Sequence, residues 1–148
     1  MRALSYSTDM VIRRSPEDVF DFCSDLRSEL RWNPNAKYIE KLTDGSVGVG
    51  TRYRARWANS GPTTVEVVRF DRPRSWETST RARGMVIRFR GTVTDAAPGA
   101  RYSASLELHP RGLAWLVAPL ALLAMRRQDQ QNMQCIQEAL ESSTVTSI

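Results

Sequence analysis

The segment Thr51–Trp57 alternates without a break: Tyr53, Ala55 and Trp57 fall on one side, Arg52, Arg54 and Arg56 on the other. A period of two marks a strand with one dry and one wet face. The pattern returns in Met85–Thr94, where Met85, Ile87 and Phe89 oppose Arg88 and Arg90. It returns again in Arg101–Leu108, with Tyr102, Ala104, Leu106 and Leu108 together. Ser5–Ile12, Tyr38–Leu42, Thr63–Asp71 and Trp76–Thr80 also read as strands. Turn residues separate them: Asp44-Gly45, Asn59-Ser60-Gly61-Pro62, Arg72-Pro73-Arg74, Gly84 and Pro98-Gly99. Strands punctuated about every ten residues predict an antiparallel meander.

Two interruptions carry helical periodicity instead. After the first strand, Ser15-Pro16-Glu17-Asp18 supplies an N-cap, a proline at the first helical position and acids at the positive helix end. Val19, Phe20, Phe22, Cys23 and Leu26 then repeat at helical spacing. A second short helix or turn, Arg27–Trp32, stops before Asn33-Pro34. From Leu113 to Glu141 the only breaker is Pro119, so a long helix is expected, kinked there. Its apolar side runs through Met125, Gln128, Asn132 or Met133, Ile136 and Leu140. Residues 141–148 read as a polar, frayed tail. The fold class is α+β: one domain over residues 1–148, a curved seven-stranded antiparallel sheet around a long C-terminal helix, with two short helices after strand one. The arginine side of such a sheet faces water, and the aromatic side must be covered. The long helix covers it incompletely, which leaves a concave, mostly apolar space.

Composition excludes several classes. Of 148 residues 41% are hydrophobic, enough for a core without staples. Cys23 and Cys135 lie far apart and read as buried thiols, not as a metal site or disulfide framework. The first ten residues lack the apolar stretch of a signal peptide, so a cytoplasmic location is expected. Leu113–Met125 is too short to span a bilayer. Arginines supply 19 of the 21 basic residues, and the net charge is +5. Arg52, Arg54, Arg56, Arg88, Arg90 and Arg101 stand opposite the aromatics, so no stacking platform accompanies them and no nucleic-acid partner is expected. Phosphate-loop, dinucleotide-binding, nucleophile-elbow and metal-ligand motifs are missing, and no cofactor or metal is expected.

The chain resembles the START-like, helix-grip superfamily that includes the polyketide cyclases/dehydrases and many bacterial SRPBCC proteins. The resemblance rests on the order of four features. They are the opening strand with Ser15-Pro16-Glu17-Asp18-Val19-Phe20; Trp32-Asn33-Pro34 leading to Val47-Gly48-Val49-Gly50-Thr51; Phe70-Asp71-Arg72-Pro73-Arg74; and the terminal helix with Pro119 and Ala139-Leu140-Glu141. It implies a pocket for a small hydrophobic molecule such as a lipid or polyketide, and it does not imply one reaction.

Within that frame Trp32, Tyr53, Ala55, Trp57, Trp76, Ile87, Phe89, Tyr102, Leu120, Ala124, Gln128 and Asn132 are the expected ligand-lining residues. Trp115 is a further aromatic that could face inward. The alternative for the aromatics is plain core. Glu66, Tyr53, Tyr102 and Asp129 are candidate acid/base groups for a cyclase or dehydratase, with Glu66 alternatively paired to outer arginines. His109, at a strand end before Pro110, is expected outside the cavity. Three functions stay open: a hydrophobic-ligand binder, a polyketide aromatase/cyclase or dehydratase, and a membrane-surface protein using Leu113–Met125 with Arg111, Arg126 and Arg127. A monomer or homodimer fits each.

Overall fold

The computed structural model describes residues 3–58, 60–82 and 84–142; the expected tail beyond Ser142, and Asn59 of one turn, lie outside them. β1 (Leu4–Ile12) leads into α1 (Pro16–Ser24), a 3-10 turn (Leu26–Ser28) and α2 (Glu29–Trp32). Six strands follow: β2 (Ala36–Lys41), β3 (Arg52–Trp57), β4 (Thr63–Asp71), β5 (Ser75–Ala82), β6 (Met85–Ala96) and β7 (Gly99–Pro110). A second 3-10 turn (Gly112–Leu116) precedes α3 (Ala118–Ser142). All seven strands form one antiparallel sheet in the order β1-β7-β6-β5-β4-β3-β2. The β1–β7 closure pairs Tyr6 with Leu106 and Met10 with Tyr102.

The alternation expected of β3 holds: Tyr53 and Ala55 are buried while Arg52, Arg54 and Arg56 are exposed. In β4 the phase changes. Val65 and Val67 are buried, a bulge falls between Val67 and Arg69, and Phe70 pairs with buried Trp76. The extra residue at a bulge shifts the side-chain period by one, which explains why both sides of β4 look apolar in sequence.

Pro119 does not kink the long helix. The helix begins at Ala118, so Pro119 lies in its first turn, where a missing N–H breaks no helical bond. Gly112, at φ +56°, turns the chain out of β7 into the preceding 3-10 turn. The helix is therefore 25 residues long. It lies along β1, with smaller contacts to β7 and α2. Its inner side carries buried Asn132, Met133, Ile136 and Leu140.

One end of the interior is an aromatic cluster. Ser15 caps α1 by accepting from the Asp18 N–H at 3.2 Å. The cap sets Val19 and Phe20 against the sheet, both fully buried. The Phe20 ring stands edge-on to Phe70 and Trp76, each at 5.2 Å between centroids. Trp76 lies nearly parallel to Tyr102, 5.9 Å away with 5° between planes. Offset and edge-on geometries are the favourable ones for aromatic rings. Gly91 pairs with Trp76 across β5 and β6. A Cβ there would sit 2.3 Å from the indole. Gly91→Ala must displace Trp76 from its stack. The expected cost is about 1–3 kcal/mol in denaturant-unfolding stability, as for other overpacked cores; an unchanged midpoint would contradict this packing.

Candidate functional site

Because α3 follows β1, the middle of the concave face has less cover. Thr78 and Thr80 of β5 point to the same side as buried Trp76, and they pair with Phe89 and Ile87 of β6. All four are only partly buried. These inward-facing side chains keep solvent contact, so the helix leaves this part of the concave face uncovered.

Polar groups from five elements, β1, α2, β3, β7 and α3, face this interior. The Tyr6 hydroxyl of β1 donates to Asp129 Oδ2 of α3. Asn132 Nδ2 reaches Asp129 Oδ1 at 3.4 Å, and Gln128 Nε2 donates to Asn132 Oδ1 at 3.0 Å. Across from them, Glu29 of α2 accepts from the Trp57 indole N–H at 2.9 Å and from Asn33 Nδ2 at 2.8 Å, both on Oε1. Tyr102 is buried, and its hydroxyl has no hydrogen-bond partner among the described residues. Tyr53 donates to Asp25 Oδ1 at 3.4 Å at the other end.

Desolvation dominates the electrostatics. Burial pushes Glu29 above the usual carboxylate range, against bonds from Trp57 and Asn33, and the nearby Asp129 charge adds to the rise. Burial likewise raises Asp129, partly offset by Tyr6 and Asn132. The phenols of Tyr6, Tyr53 and Tyr102 are raised mainly by burial, so they stay protonated; nearby carboxylates reinforce the effect. Asp25 moves the other way: burial opposes ionisation, but the bonds from Arg27 outweigh it. Two carboxyls and two phenols thus present mainly hydrogen-bond donors when protonated, and a carboxylate base when one acid ionises.

Three expected site residues lie elsewhere. Glu66 is exposed on the outer face, beside Arg54, Thr64, Val68, Ser79 and Arg81 along an open groove of about 690 Å³. Its neighbours Val65 and Val67 hold the inner side of β4, so Glu66 cannot be the interior acid. Leu120 and Ala124 are exposed rather than ligand-lining. Stepping by four from Asn132 back to Leu120 drifts about 40° per step at 3.6 residues per turn, roughly 120° in all. Trp76 is 2% exposed and packed in the aromatic cluster. Trp32, Ile87 and Phe89 are partly buried, and Ala55 is buried beside Tyr53. Trp115 sits half-buried in the second 3-10 turn. His109 bonds Glu107 at 3.1 Å, away from these groups. Both cysteines are partly buried; Cys23 packs on the core, and burial pushes its thiol up. Among the described residues no cluster of metal-ligating side chains is present, and no helix is long and apolar enough to cross a membrane.

Sequence reasoning missed Glu29 and Tyr6. Glu29 stands four residues before Asn33, a helical pair, but its bond to Trp57 spans 28 positions and has no local signature.

A family model described as "Polyketide cyclase / dehydrase and lipid transport" matches residues 3–141. The chain belongs to this family. Solved structures share the fold of this cyclase/dehydrase-like protein at low identity. Ara h 8.0201 superposes with a TM-score of 0.74 at 15% identity, covering 95% of this chain and 99% of that one. The di-domain ARO/CYC BexL of the BE-7585A biosynthetic pathway gives 0.76 at 12% identity, over 92% of this chain. The chain spans about half of BexL, 49% of its length. A protein of unknown function from Staphylococcus aureus gives 0.73 at 13% identity, over 97% and 96% of the two chains. No curated protein sequence matches significantly.

The raised carboxyls predict a pH dependence. The folded state holds protons on Glu29 and Asp129 that the unfolded chain releases near its ordinary carboxylate pKa of about 4. Their stability contribution is full below that value and is lost as pH rises through the folded pKa values. Glu29→Gln with Asp129→Asn should therefore lose less melting temperature than the parent between about pH 4 and about pH 7. Parallel pH curves would contradict the placement of both acids.

Proposed function

We propose that this family member binds a small hydrophobic molecule carrying oxygens at one end, in the space between α3 and the concave face of β5 to β7. The observation that carries the reading is the Tyr102 hydroxyl, which makes no hydrogen bond to the described residues and is not closed off from solvent, within electrostatic reach of Asp129, Glu29 and Tyr6. A ligand carbonyl or hydroxyl would take the place of solvent on that hydroxyl. Ile87, Phe89 and Leu106 supply apolar wall beside it. Thr8 Oγ1, on the same side of β1 as Tyr6, is buried without a partner among the described residues, a cost that a ligand polar group would relieve. The family description and the shared fold favour the same reading.

A second reading, a cyclase or dehydratase, draws support from two raised acids, the Asp129 charge adding to the rise of Glu29. A protonated Asp129 or Glu29 can donate to a carbonyl oxygen, and its conjugate base can accept a proton from an adjacent carbon. Native mass spectrometry and dye displacement with fatty acids and hydroxyanthraquinones test the binding. Tyr102→Phe keeps the ring stack and removes one hydrogen bond. The expected loss of affinity is about fivefold to tenfold, equivalent to about 1 kcal/mol. Absence of binding by every compound in both classes would overturn the proposal. Asp129→Asn that abolishes product formation while retaining binding would favour the enzyme.

A further inference from the structure

The outward side of the segment joining β7 to α3 is apolar to an unusual degree. Leu113, Leu116 and Leu120 are 82%, 76% and 72% exposed, and Val117 and Leu123 are also exposed. Leu120 and Leu123 stand three apart on one side of α3, and Leu113 and Leu116 of the preceding 3-10 turn extend the exposed apolar surface. The opposite side of the same turns is already used: Leu122 and Met125 pack with Tyr6, Leu106 and Leu108. Contiguous exposed apolar patches on a soluble protein mark interaction surfaces.

The charge around the patch is of one sign. Arg111 precedes it, Arg126 and Arg127 follow it, and residues 110–128 contain no Asp or Glu. The β5–β6 hairpin adds Arg81, held alongside because the Arg111 N–H donates to the Gly84 carbonyl at 2.9 Å. Among the described residues these four arginines have no ion-pair partner. Leucines ringed by unpaired cations fit one partner chemistry, an anionic lipid interface, where acyl chains take the leucines and headgroups the guanidiniums. A second copy set on the same patch by two-fold symmetry would bring the arginines together instead.

We propose that the second 3-10 turn and the first turns of α3 form a docking face for anionic membrane surfaces. Docking does not depend on the interior ligand, because the leucines point away from it. The test is co-sedimentation with phosphatidylcholine vesicles with and without about 30 mol% phosphatidylglycerol. The protein should bind only the anionic vesicles, and binding should weaken with added salt. Leu116→Glu with Leu120→Glu, both solvent-exposed and expected to fold normally by circular dichroism, should reduce it at least about tenfold. Ligand binding in vesicle-free buffer should be unchanged by that variant, which separates this face from the interior site. No binding to anionic vesicles at low salt would overturn the proposal. So would binding insensitive to the leucine substitutions, or a stable dimer that those substitutions dissolve.

Discussion

One helix cannot cover the concave face of a seven-stranded sheet, and much of the molecule's organisation follows from that mismatch. The helix takes the β1–β7 end, where Met133, Ile136 and Leu140 meet the buried side chains Ile12, Ala100 and Ala104. The aromatic cluster around Trp76 extends this core toward α1. Val65, Val67 and Tyr53 form a separate apolar group on β3 and β4. The interior is thus several clusters with polar groups between them, rather than one continuous hydrophobic mass.

Those polar groups are costly to keep out of water. Glu29, Asp129 and the phenols are removed from solvent, and their partners satisfy them only in part. A core selected only for stability would have apolar side chains there. Raised carboxyl pKa values cluster at functional sites, and here they accompany the buried, unpartnered Thr8 Oγ1. The adjacent half-buried Thr78, Thr80 and Ile87 give the concave face a wall of mixed polarity.

The sheet was legible in the sequence because period two is local: Tyr53-Ala55-Trp57 against the arginines, and Tyr102-Ala104-Leu106 again. The bulge after Val67 was hidden, since a shift of register appears only when β4 meets β5. Pro119 was misread as an interior kink because the 3-10 turn before it is as apolar as the helix itself. That extension also drew Leu120 and Ala124 inward on paper, where the helical drift turns them out. Tyr53, Tyr102 and Asp129 were recognisable as chemistry-bearing residues. Glu29 was not, because its environment is assembled from Trp57 and Asn33 only when α2 folds against β3.

The central claim is that the ligand lies between α3 and the concave face of β5 to β7, against Tyr102. The most direct measurement is a nitrogen-15 NMR titration of the four tryptophan indole N–H groups with a hydroxyanthraquinone. The account predicts that the resonance of Trp76, whose ring stacks on Tyr102, shifts saturably while that of Trp115, in the outer 3-10 turn, stays in place. Saturable binding that leaves Trp76 unmoved, or that moves Trp115 alone, would contradict it.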